Sequence, residues 1–206
     1  MARMTLKFEF LSYWHCSSGK GDGPGADLLA IRDASGLPYI PGKTVKGLLR
    51  NAVDWLDELE SGEERIDTAT DMFGTAIPSD GKERVSTLEG FRHRTMAGRL
   101  RIDSAELGHD VTQRRQWRAW AMSDVGKRQI QFLATTVAST RMNGDGVADD
   151  GSLRMVEVIV PLTLYADVES DAQSDLNRIG DALPLLREMG TGRNRGYGRV
   201  MVSVAY

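Results

Sequence analysis

The sequence predicts an α+β protein in which helices pack on one face of an antiparallel sheet. Three observations carry this prediction: an alternating strand opens the chain, an amphipathic helix follows it, and a strand–helix–strand sequence closes it. At 206 residues the chain suits one domain and is long enough to bury a core. Hydrophobic residues make up 41% and charged residues 27% of the chain, proportions that are ordinary for a globular protein.

The first strand is predicted over Thr5–His15. Apolar residues at positions 6, 8 and 10 alternate with charged residues at 7 and 9, which is the period that places successive side chains on opposite faces of a sheet. The following segment, Ser17–Gly25, is rich in glycine and is predicted to be a loop.

An amphipathic helix is predicted after Gly42, with Thr44 as its N-cap. Its apolar residues recur at i, i+3, i+4, i+7, i+8 and i+11 and so form one helical stripe, which consists of Val45, Leu48, Leu49, Ala52, Val53 and Leu56. The acidic residues that follow, from Asp54 to Asp67, are predicted to form a solvated charged surface.

The later elements complete the predicted fold. They are a short strand at Gly98–Asp103, a long strand at Arg154–Ala166, a helix at Asp175–Met189 with a break at Pro184, and a last strand at Arg199–Ala205. Pro161 must lie at an edge or a bulge, because proline has no N–H for the sheet. The order strand, helix, strands, helix, strand is that of a ferredoxin-like sandwich. Residues 104–151 are predicted to form a long inserted arm within a single domain, whose core is 1–103 and 152–206.

Charge is distributed unevenly along the chain. The net charge of −3 is unusual for a nucleic-acid-binding protein. However, the stretches Arg32–Arg50 and Arg187–Arg199 each contain four basic residues and one acidic residue, while acidic residues concentrate at 54–67. This asymmetry predicts one face that binds an anionic ligand.

Several classes of protein are excluded by residue usage. Cys16 is the only cysteine, so an internal disulfide and a cysteine-based zinc cluster are excluded, and the three histidines are widely separated. The charged N-terminus does not resemble a signal peptide, and no stretch approaches the ~18 apolar residues that cross a bilayer. We therefore expect a cytoplasmic protein without a membrane partner.

The entry to the predicted helix favours anions. Gly36–Arg50 contains Gly-Lys-Thr, but five bulky or stiff residues separate Gly36 from Gly42, which does not fit a nucleotide-binding P-loop. The N–H groups and dipole of a helix N-terminus are nevertheless positive. The predicted phosphate-binding residues are Gly42, Lys43, Thr44, Lys46 and Arg50, of which Lys43, Lys46 and Arg50 share a flank. The spacing is equally compatible with an amphipathic helix that has a solvated basic edge.

A second candidate lies near the C-terminus. The segment Glu188–Val200 contains four glycines within nine residues, interleaved with arginines. Glycines favour positive φ and close backbone approach to an anion, and arginine contacts phosphates and stacks on bases. The predicted ligand-binding residues are Gly190, Gly192, Arg193, Arg195, Gly196 and Gly198. A glycine C-cap with a tight turn explains one or two of these glycines, and Tyr197 fits either base stacking or the core.

Five segments in order resemble signatures of the RAMP superfamily of CRISPR-associated proteins. PYIPGKTVKGLLR resembles its proline-glycine helix entry and GTGRNRGYGRV its C-terminal glycine-rich loop. Met72–Thr75, Gly98–Leu107 and Ser139–Pro161 resemble the intervening signatures. The sequence is most similar to backbone subunits of type III effector complexes. The resemblance implies a ferredoxin-like (RRM-like) palm and a thumb-like insertion. Its implied partners are guide RNA, target RNA and other effector subunits, including copies of itself.

The resemblance also implies cleavage of target RNA at regular intervals, by an aspartate that precedes the helix. In ADLLAIRDASG, Asp27 occupies the matching position, and Asp33 aligns with an accompanying acid that is expected to hold its own turn. RNA supplies its own nucleophile, the 2′-hydroxyl. An aspartate of ordinary pKa, ~3.9, is a weak base, so positioning or holding Mg²⁺ or Mn²⁺ is the favoured role.

Three alternatives remain open at this point. The chain could be a capping or structural subunit that binds RNA without cleaving it. It could instead be a guide-processing endoribonuclease with His15 as general base, or a protein-interaction domain without RNA. Trp117 and Trp120 are expected to lie in the core or in an interface.

Overall fold

A computed structural model describes residues 1–21, 26–61, 68–74, 97–141, 143–144 and 146–205. Its larger elements are β1 (Ala2–Phe10), α1 (Gly42–Glu60), α2 (Thr68–Phe73), β2 (Arg101–Ile102), α3 (Val111–Met122), α4 (Asp124–Gln129), β3 (Ala134–Ser139), β4 (Arg154–Ile159), β5 (Thr163–Ser170), α5 (Gln173–Ala182) and β6 (Val200–Ala205). Short 3₁₀ helices occupy Ile130–Leu133, Leu183–Leu185 and Arg193–Arg195. No helix in the described ranges is both long and apolar enough to cross a membrane.

The predicted ferredoxin-like sheet is confirmed. Among the described residues, four strands form one antiparallel sheet in the order β2-β5-β1-β6. β1 is central, with Leu6 opposite Ala166 on one side and Val204 on the other. Helices α1 and α5 pack on one face of the sheet, as the apolar stripe of α1 predicts. The shared core is formed by Leu6, Phe8, Val45, Leu49, Leu164, Leu176 and Ile179, among others.

Two strand boundaries differ from the prediction. β1 ends at Phe10 and not at His15, and Trp14 instead forms a bridge with Ile159. The predicted strand Arg154–Ala166 is two strands, β4 and β5, which belong to different sheets. Pro161 lies between them, where its missing N–H interrupts no ladder.

The predicted arm contains α3, α4 and β3. β3 pairs with β4 as an antiparallel hairpin, with Val137 opposite Val156. The hairpin therefore crosses the predicted boundary at Gly151, and the division of the chain into a palm and an insertion stays a prediction.

The predicted N-cap of α1 is wrong. Pro41 is the cap residue and makes no side-chain capping bond, and Thr44 lies inside the first turn, where its N–H donates to Pro41 O at 2.8 Å. Proline fixes its own φ but has no side-chain oxygen that could accept from the first N–H groups of the helix. The first turn is instead positioned by its contact with the end of β2.

The acidic run is not a uniformly solvated surface. Asp57 is buried at 3% exposure, accepts hydrogen bonds from Thr68 N (2.8 Å) and Thr68 Oγ1 (2.7 Å), and pairs with Arg178. Burial raises the pKa of Asp57, but hydrogen bonds from Arg178 and Thr68 outweigh it and hold the pKa below its ordinary value. Asp57 thus joins α1, α2 and α5. Residues 62–67 of this run, residues 22–25 of the first loop, Thr75 and His93 lie outside the described residues.

A second buried carboxylate lies on the opposite face of the sheet. Asp167 of β5 accepts a hydrogen bond from Thr5 Oγ1 at 2.7 Å and pairs with Arg3 at 2.8 Å and with Arg114 of α3 at 3.1 Å. Burial raises its pKa, but Thr5, Arg3 and Arg114 outweigh burial and lower it. The Arg114 contact holds α3 over this face.

Candidate nucleic-acid interface

The Gly–Arg loop, residues 190–198, joins the helical layer to β6. A short 3₁₀ helix over Arg193–Arg195 lies between Gly192 and Gly196. All four glycines have positive φ: +88° at Gly190, +75° at Gly192, +80° at Gly196 and +74° at Gly198. The prediction that these glycines adopt left-handed backbone is therefore confirmed.

Two of the four glycines are also required by packing within the protein. A Cβ on Gly190 would lie 2.3 Å from His15 O, and a Cβ on Gly198 would lie 1.9 Å from Met189 O. A Cβ on Gly196 would meet no atom within 4 Å. Contacts with backbone thus account for two of the glycines, as the tight-turn alternative allows, and a Cβ on Gly192 would also lie 2.8 Å from the Tyr197 ring.

Five backbone N–H groups of the loop donate to carbonyls, three of them within the loop and two to residues 13 and 15. Arg195 N–H donates to Gly192 O at 2.8 Å, and Gly196 N–H donates to Arg193 O at 3.1 Å. Tyr197 is half-buried beside Gly192. The side chains of Arg193 and Arg195 are exposed, and no ion pair among the described residues includes either of them. The exposed guanidinium groups of Arg193 and Arg195 are the charged groups that the loop offers to an anion.

A cavity of about 590 Å³ separates the Gly–Arg loop from the β3–β4 hairpin. Apolar side chains of the hairpin and of the segment after Asp27 line it together with arginines, including Leu28, Val137, Val156, Arg154, Arg193 and Arg195. An apolar surface with a guanidinium rim suits a nucleotide, since a base stacks on apolar or planar groups while its phosphate meets arginine. Arg154 and Val156 were predicted as part of a strand and of a RAMP-like segment, and Val137 as part of the inserted arm. Their role in this cavity depends on the β3–β4 pairing, which single-strand periodicity does not reveal.

The entry of α1 is positioned by close contact with the end of β2. A Cβ on Gly42 would lie 2.6 Å from Ile102 O, and Gly42 N–H donates to Ser104 Oγ at 3.1 Å. The glycine thus permits backbone approach within the protein. Thr44 N–H also donates within the protein, to Pro41 O. The attraction of this helix end for anions therefore comes mainly from Lys43, which is exposed, and Lys46, which is half-buried.

Arg50 is not on the same open flank as the two lysines. Its guanidinium donates to Gly74 O at the end of α2 and to Thr70 Oγ1 at 3.2 Å, and its Nε lies 3.7 Å from Asp54. Its side chain is 18% exposed. The structure therefore gives Arg50 a role in holding α2 against α1.

Residues 15–16 contact the Gly–Arg loop directly, since Thr191 N–H donates to His15 O at 3.2 Å. Burial raises the pKa of the neighbouring Cys16 thiol, and the positive charge of Lys43 opposes that rise. Lys43 therefore acts electrostatically on the segment that the Gly–Arg loop contacts.

Asp27 lies on a segment that docks onto β4. Its N–H donates to Met155 O at 2.7 Å, and its Oδ2 accepts from Met155 N at 2.7 Å. Asp27 is exposed and lies next to Leu28 in the cavity wall. Asp33 holds its own turn as expected, since its Oδ1 accepts from Ser35 N at 2.8 Å and Leu37 N at 2.9 Å.

The described residues do not include a metal site built by protein alone. No group of three or more His, Cys, Asp or Glu side chains suited to a metal occurs among them. One oxygen of Asp27 is already bonded to the backbone. Mg²⁺ commonly uses one or two carboxylates with waters and substrate phosphates, so Asp27 suits at most a site completed by RNA. A metal there stays a prediction.

His15 is poorly placed for general-base chemistry. It is 1% exposed, and its Nδ1 lies 2.6 Å from Glu157 O, an acceptor, so Nδ1 carries the proton. Its Nε2 is buried and has no hydrogen-bond partner among the residues that the structure describes. A substrate could not reach this ring in the present fold.

The two tryptophans of α3 stack edge to face, with ring centroids 5.5 Å apart. Trp120 is half-buried against the core, and Trp117 is 37% exposed beside an apolar groove with Phe132.

The sequence model of the RAMP superfamily matches residues 7–201, so the chain belongs to the RAMP superfamily. A comparison with curated proteins finds no match.

Solved structures show where this fold occurs. A chain of the type III-B Cmr-β complex in the apo state has a TM-score of 0.64 at 10% identity, with 98% of this chain and 97% of that chain covered. A chain of the Cmr-β complex bound to cognate target RNA gives 0.59 at 12% identity, covering 99% and 97%. A chain of a type IV-B CRISPR complex gives 0.58 at 17% identity, covering 99% and 90%. The chain is thus a RAMP protein that resembles subunits of type III and type IV CRISPR effector complexes.

Proposed function

We propose that this protein is a CRISPR RNA-binding backbone subunit of an effector complex of type III character. The observation that carries the proposal is that Arg193 and Arg195, which are exposed, line an apolar cavity together with Arg154. Membership of the RAMP superfamily and the likeness to effector-complex chains support it. The other partners proposed are target RNA and further effector subunits, including copies of this chain in the cytoplasm.

Guide RNA is proposed to run along the Gly–Arg loop toward the entry of α1. Arg193, Arg195 and Lys43 would contact phosphates, and the cavity beside Arg154 would receive apolar base surface. Because each phosphate contact releases a counterion, this binding must weaken with salt.

The proposal is tested by purifying the protein with co-expressed effector subunits and asking whether a guide-sized RNA accompanies it. The binding constant K for single-stranded RNA is then measured at several salt concentrations. Each of Arg193→Ala and Arg195→Ala is expected to reduce the slope of log K against log salt concentration by about 0.7. Arg101→Ala is the matched control, because Arg101 is exposed in β2, at the sheet edge opposite β6. Slopes that match the wild type in both loop variants would contradict RNA binding by this loop.

Asp27 is the residue proposed to promote cleavage of guide-paired target RNA. The 2′-oxygen of the target attacks the adjacent phosphorus, the 2′-O–P bond forms, and the P–O5′ bond breaks. The products carry a 2′,3′-cyclic phosphate and a 5′-hydroxyl, with the 2′-hydroxyl proton lost to a base and one proton gained by the leaving oxygen. The second carboxylate oxygen of Asp27 is proposed to orient the 2′-hydroxyl, since orientation supplies much of the rate in such displacements. If a metal binds, Asp27 would hold it and the metal would neutralise phosphate charge.

The cleavage proposal is tested in the assembled complex with Asp27→Asn. Asparagine keeps an oxygen that accepts from Met155 N, so the segment stays docked, while it removes the charge and replaces the second carboxylate oxygen with an NH₂ group. Target cleavage is expected to be lost while guide RNA is retained, with Asp171→Asn as the control for an exposed aspartate. Unchanged cleavage in Asp27→Asn would instead support the second candidate, a non-catalytic RNA-binding subunit. The hydrogen bond that Asp27 Oδ2 accepts from Met155 N favours that candidate, because it gives the carboxylate a structural role.

A further inference from the structure

We propose that Glu157 is a positioning residue that fixes Asp27 against the β3–β4 hairpin and couples it to the Gly–Arg loop. This inference rests on the proposed cleavage function of Asp27. Glu157 lies on β4, two residues beyond Met155, and its side chain is 17% exposed. It was predicted only as part of a strand.

The Glu157 carboxylate holds the segment that follows Asp27. Its Oε2 accepts from Ala30 N at 2.9 Å, and its Oε1 accepts from Arg32 at 2.7 Å. Arg32 in turn donates to Gly36 O at 3.2 Å. The segment that begins at Asp27 is therefore bound to the Glu157 carboxylate at Ala30, three residues after Asp27.

The backbone of Glu157 makes two further contacts. Its N–H donates to Leu28 O at 2.9 Å, and its carbonyl accepts from His15 Nδ1 at 2.6 Å. His15 O receives Thr191 N–H from the Gly–Arg loop. Glu157 thus lies between the residue proposed to promote cleavage and the loop proposed to bind guide RNA.

The geometry makes Asp27 dependent on this docking. Leu28 forms a parallel bridge with Val156, and Asp27 exchanges two hydrogen bonds with Met155, so the segment adds alongside β4. Without the Glu157 side chain, the segment loses the hydrogen bonds from Ala30 N and Arg32 that tie it to β4, and at Ala30 only its backbone pairing with residues 16–20 remains. A displacement of about 1 Å at a reacting group is enough to lower a rate about 100-fold.

A purely stabilising role makes a different prediction. The Glu157 and Arg32 side chains are only 17% and 25% exposed, and Glu157 accepts from the N–H of buried Ala30, so Glu157→Ala is also expected to lower stability. The discriminating result is a loss of cleavage in complexes that assemble and bind guide RNA normally, which is expected only if Glu157 positions Asp27.

The test uses the assembled complex with Glu157→Ala, Glu157→Gln and, as control, Glu58→Ala, which alters an exposed acid of α1. Glu157→Ala is expected to lower the single-turnover cleavage rate at saturating target at least 10-fold, with guide capture and target Kd within 2-fold of wild type. Glu157→Gln retains an acceptor for Ala30 N and is expected to restore part of the rate. Glu58→Ala is expected to match wild type.

The outcomes separate this inference from the proposed function. If Asp27→Asn is inactive while Glu157→Ala cleaves at the wild-type rate, the positioning role is overturned and the cleavage function stands. If Glu157→Ala loses guide capture in proportion to cleavage, or Glu157→Gln is as impaired as Glu157→Ala, the role is structural and the inference also fails. If Asp27→Asn cleaves normally, the proposed cleavage function fails, and the positioning role fails with it.

Discussion

Two glycines of the Gly–Arg loop separate the cost of left-handed backbone from the cost of steric overlap. Gly196 and Gly198 have similar φ values, +80° and +74°. A Cβ at 196 would meet no atom within 4 Å, whereas a Cβ at 198 would lie 1.9 Å from Met189 O. Alanine at 196 therefore adds only backbone strain, and alanine at 198 adds strain and a clash with backbone.

The magnitudes follow from these contacts. Left-handed backbone costs a non-glycine residue roughly 1–2 kcal/mol, which lowers Tm by roughly 2–8 °C in a chain of this length. Met189 cannot move aside easily, because it is 4% exposed and its N–H donates to Gly198 O at 2.9 Å. Gly198→Ala is therefore expected to lower Tm by more than ~8 °C.

Thermal unfolding followed by far-ultraviolet circular dichroism measures both variants in one buffer. Guide capture provides the second measurement, and Gly196→Ala is expected to retain guide RNA because Arg193 and Arg195 keep their positions on the loop. Equal Tm values for the two variants would refute the distinction between strain and overlap. Loss of guide RNA in Gly196→Ala with an unchanged Tm would show that this glycine serves the ligand directly.

Two further predictions concern the buried carboxylates. Asp57→Ala removes the buried partner of Arg178, which keeps only the half-exposed Glu60 at 2.6 Å, and is expected to cost about 3 kcal/mol in urea unfolding. Glu58→Ala on the same helix is expected to change stability by less than ~0.5 kcal/mol; similar losses in both would contradict the burial argument. The pKa values of Asp57 and Asp167 are lowered by folding, so their stabilisation is complete above the unfolded pKa of about 3.9 and is lost as pH falls through the lower folded values. The urea midpoint is therefore expected to fall steeply below about pH 4, and less steeply in Asp57→Asn or Asp167→Asn; identical slopes in all three proteins would refute the assignment.

Local periodicity was sufficient to predict the elements that have one buried face. The alternation from Leu6 to Phe10 and the stripe of α1 each reflect a single neighbour, the common core. The stretch from Arg154 to Ala166 misled the same analysis, because its apolar residues serve two different sheets on either side of Pro161. Periodicity records that a residue is buried and not which element buries it.

The candidate site was predictable to the same limited extent. That the loop glycines can adopt positive φ follows from residue type, since glycine does so at little cost, although other glycines of the chain, such as Gly42, do not. The contacts of Arg50 could not be predicted from residue type. Its partners, Thr70 of α2 and Gly74 just after α2, lie beside it only in the folded chain. The burial of Asp57 could not be predicted for the same reason. An acid within an acidic run is expected to be solvated, and its partners Thr68 and Arg178 lie beside it only in the folded chain.

The distribution of ion pairs explains how a chain of net charge −3 can present a cationic surface. In the first basic stretch, Arg32 pairs with Glu157, and Arg50 donates to the backbone at the end of α2. These two guanidinium groups therefore bind partners within the protein and contribute little to the surface that an anion meets. Arg193 and Arg195 make no ion pair with any other described residue, and both line the cavity. An anionic strand responds to the local field within about one Debye length, ~8 Å at physiological salt, and not to the total charge. Neutralising distant acids, such as Glu58 of α1, should therefore leave RNA affinity nearly unchanged, whereas removing one loop arginine should not.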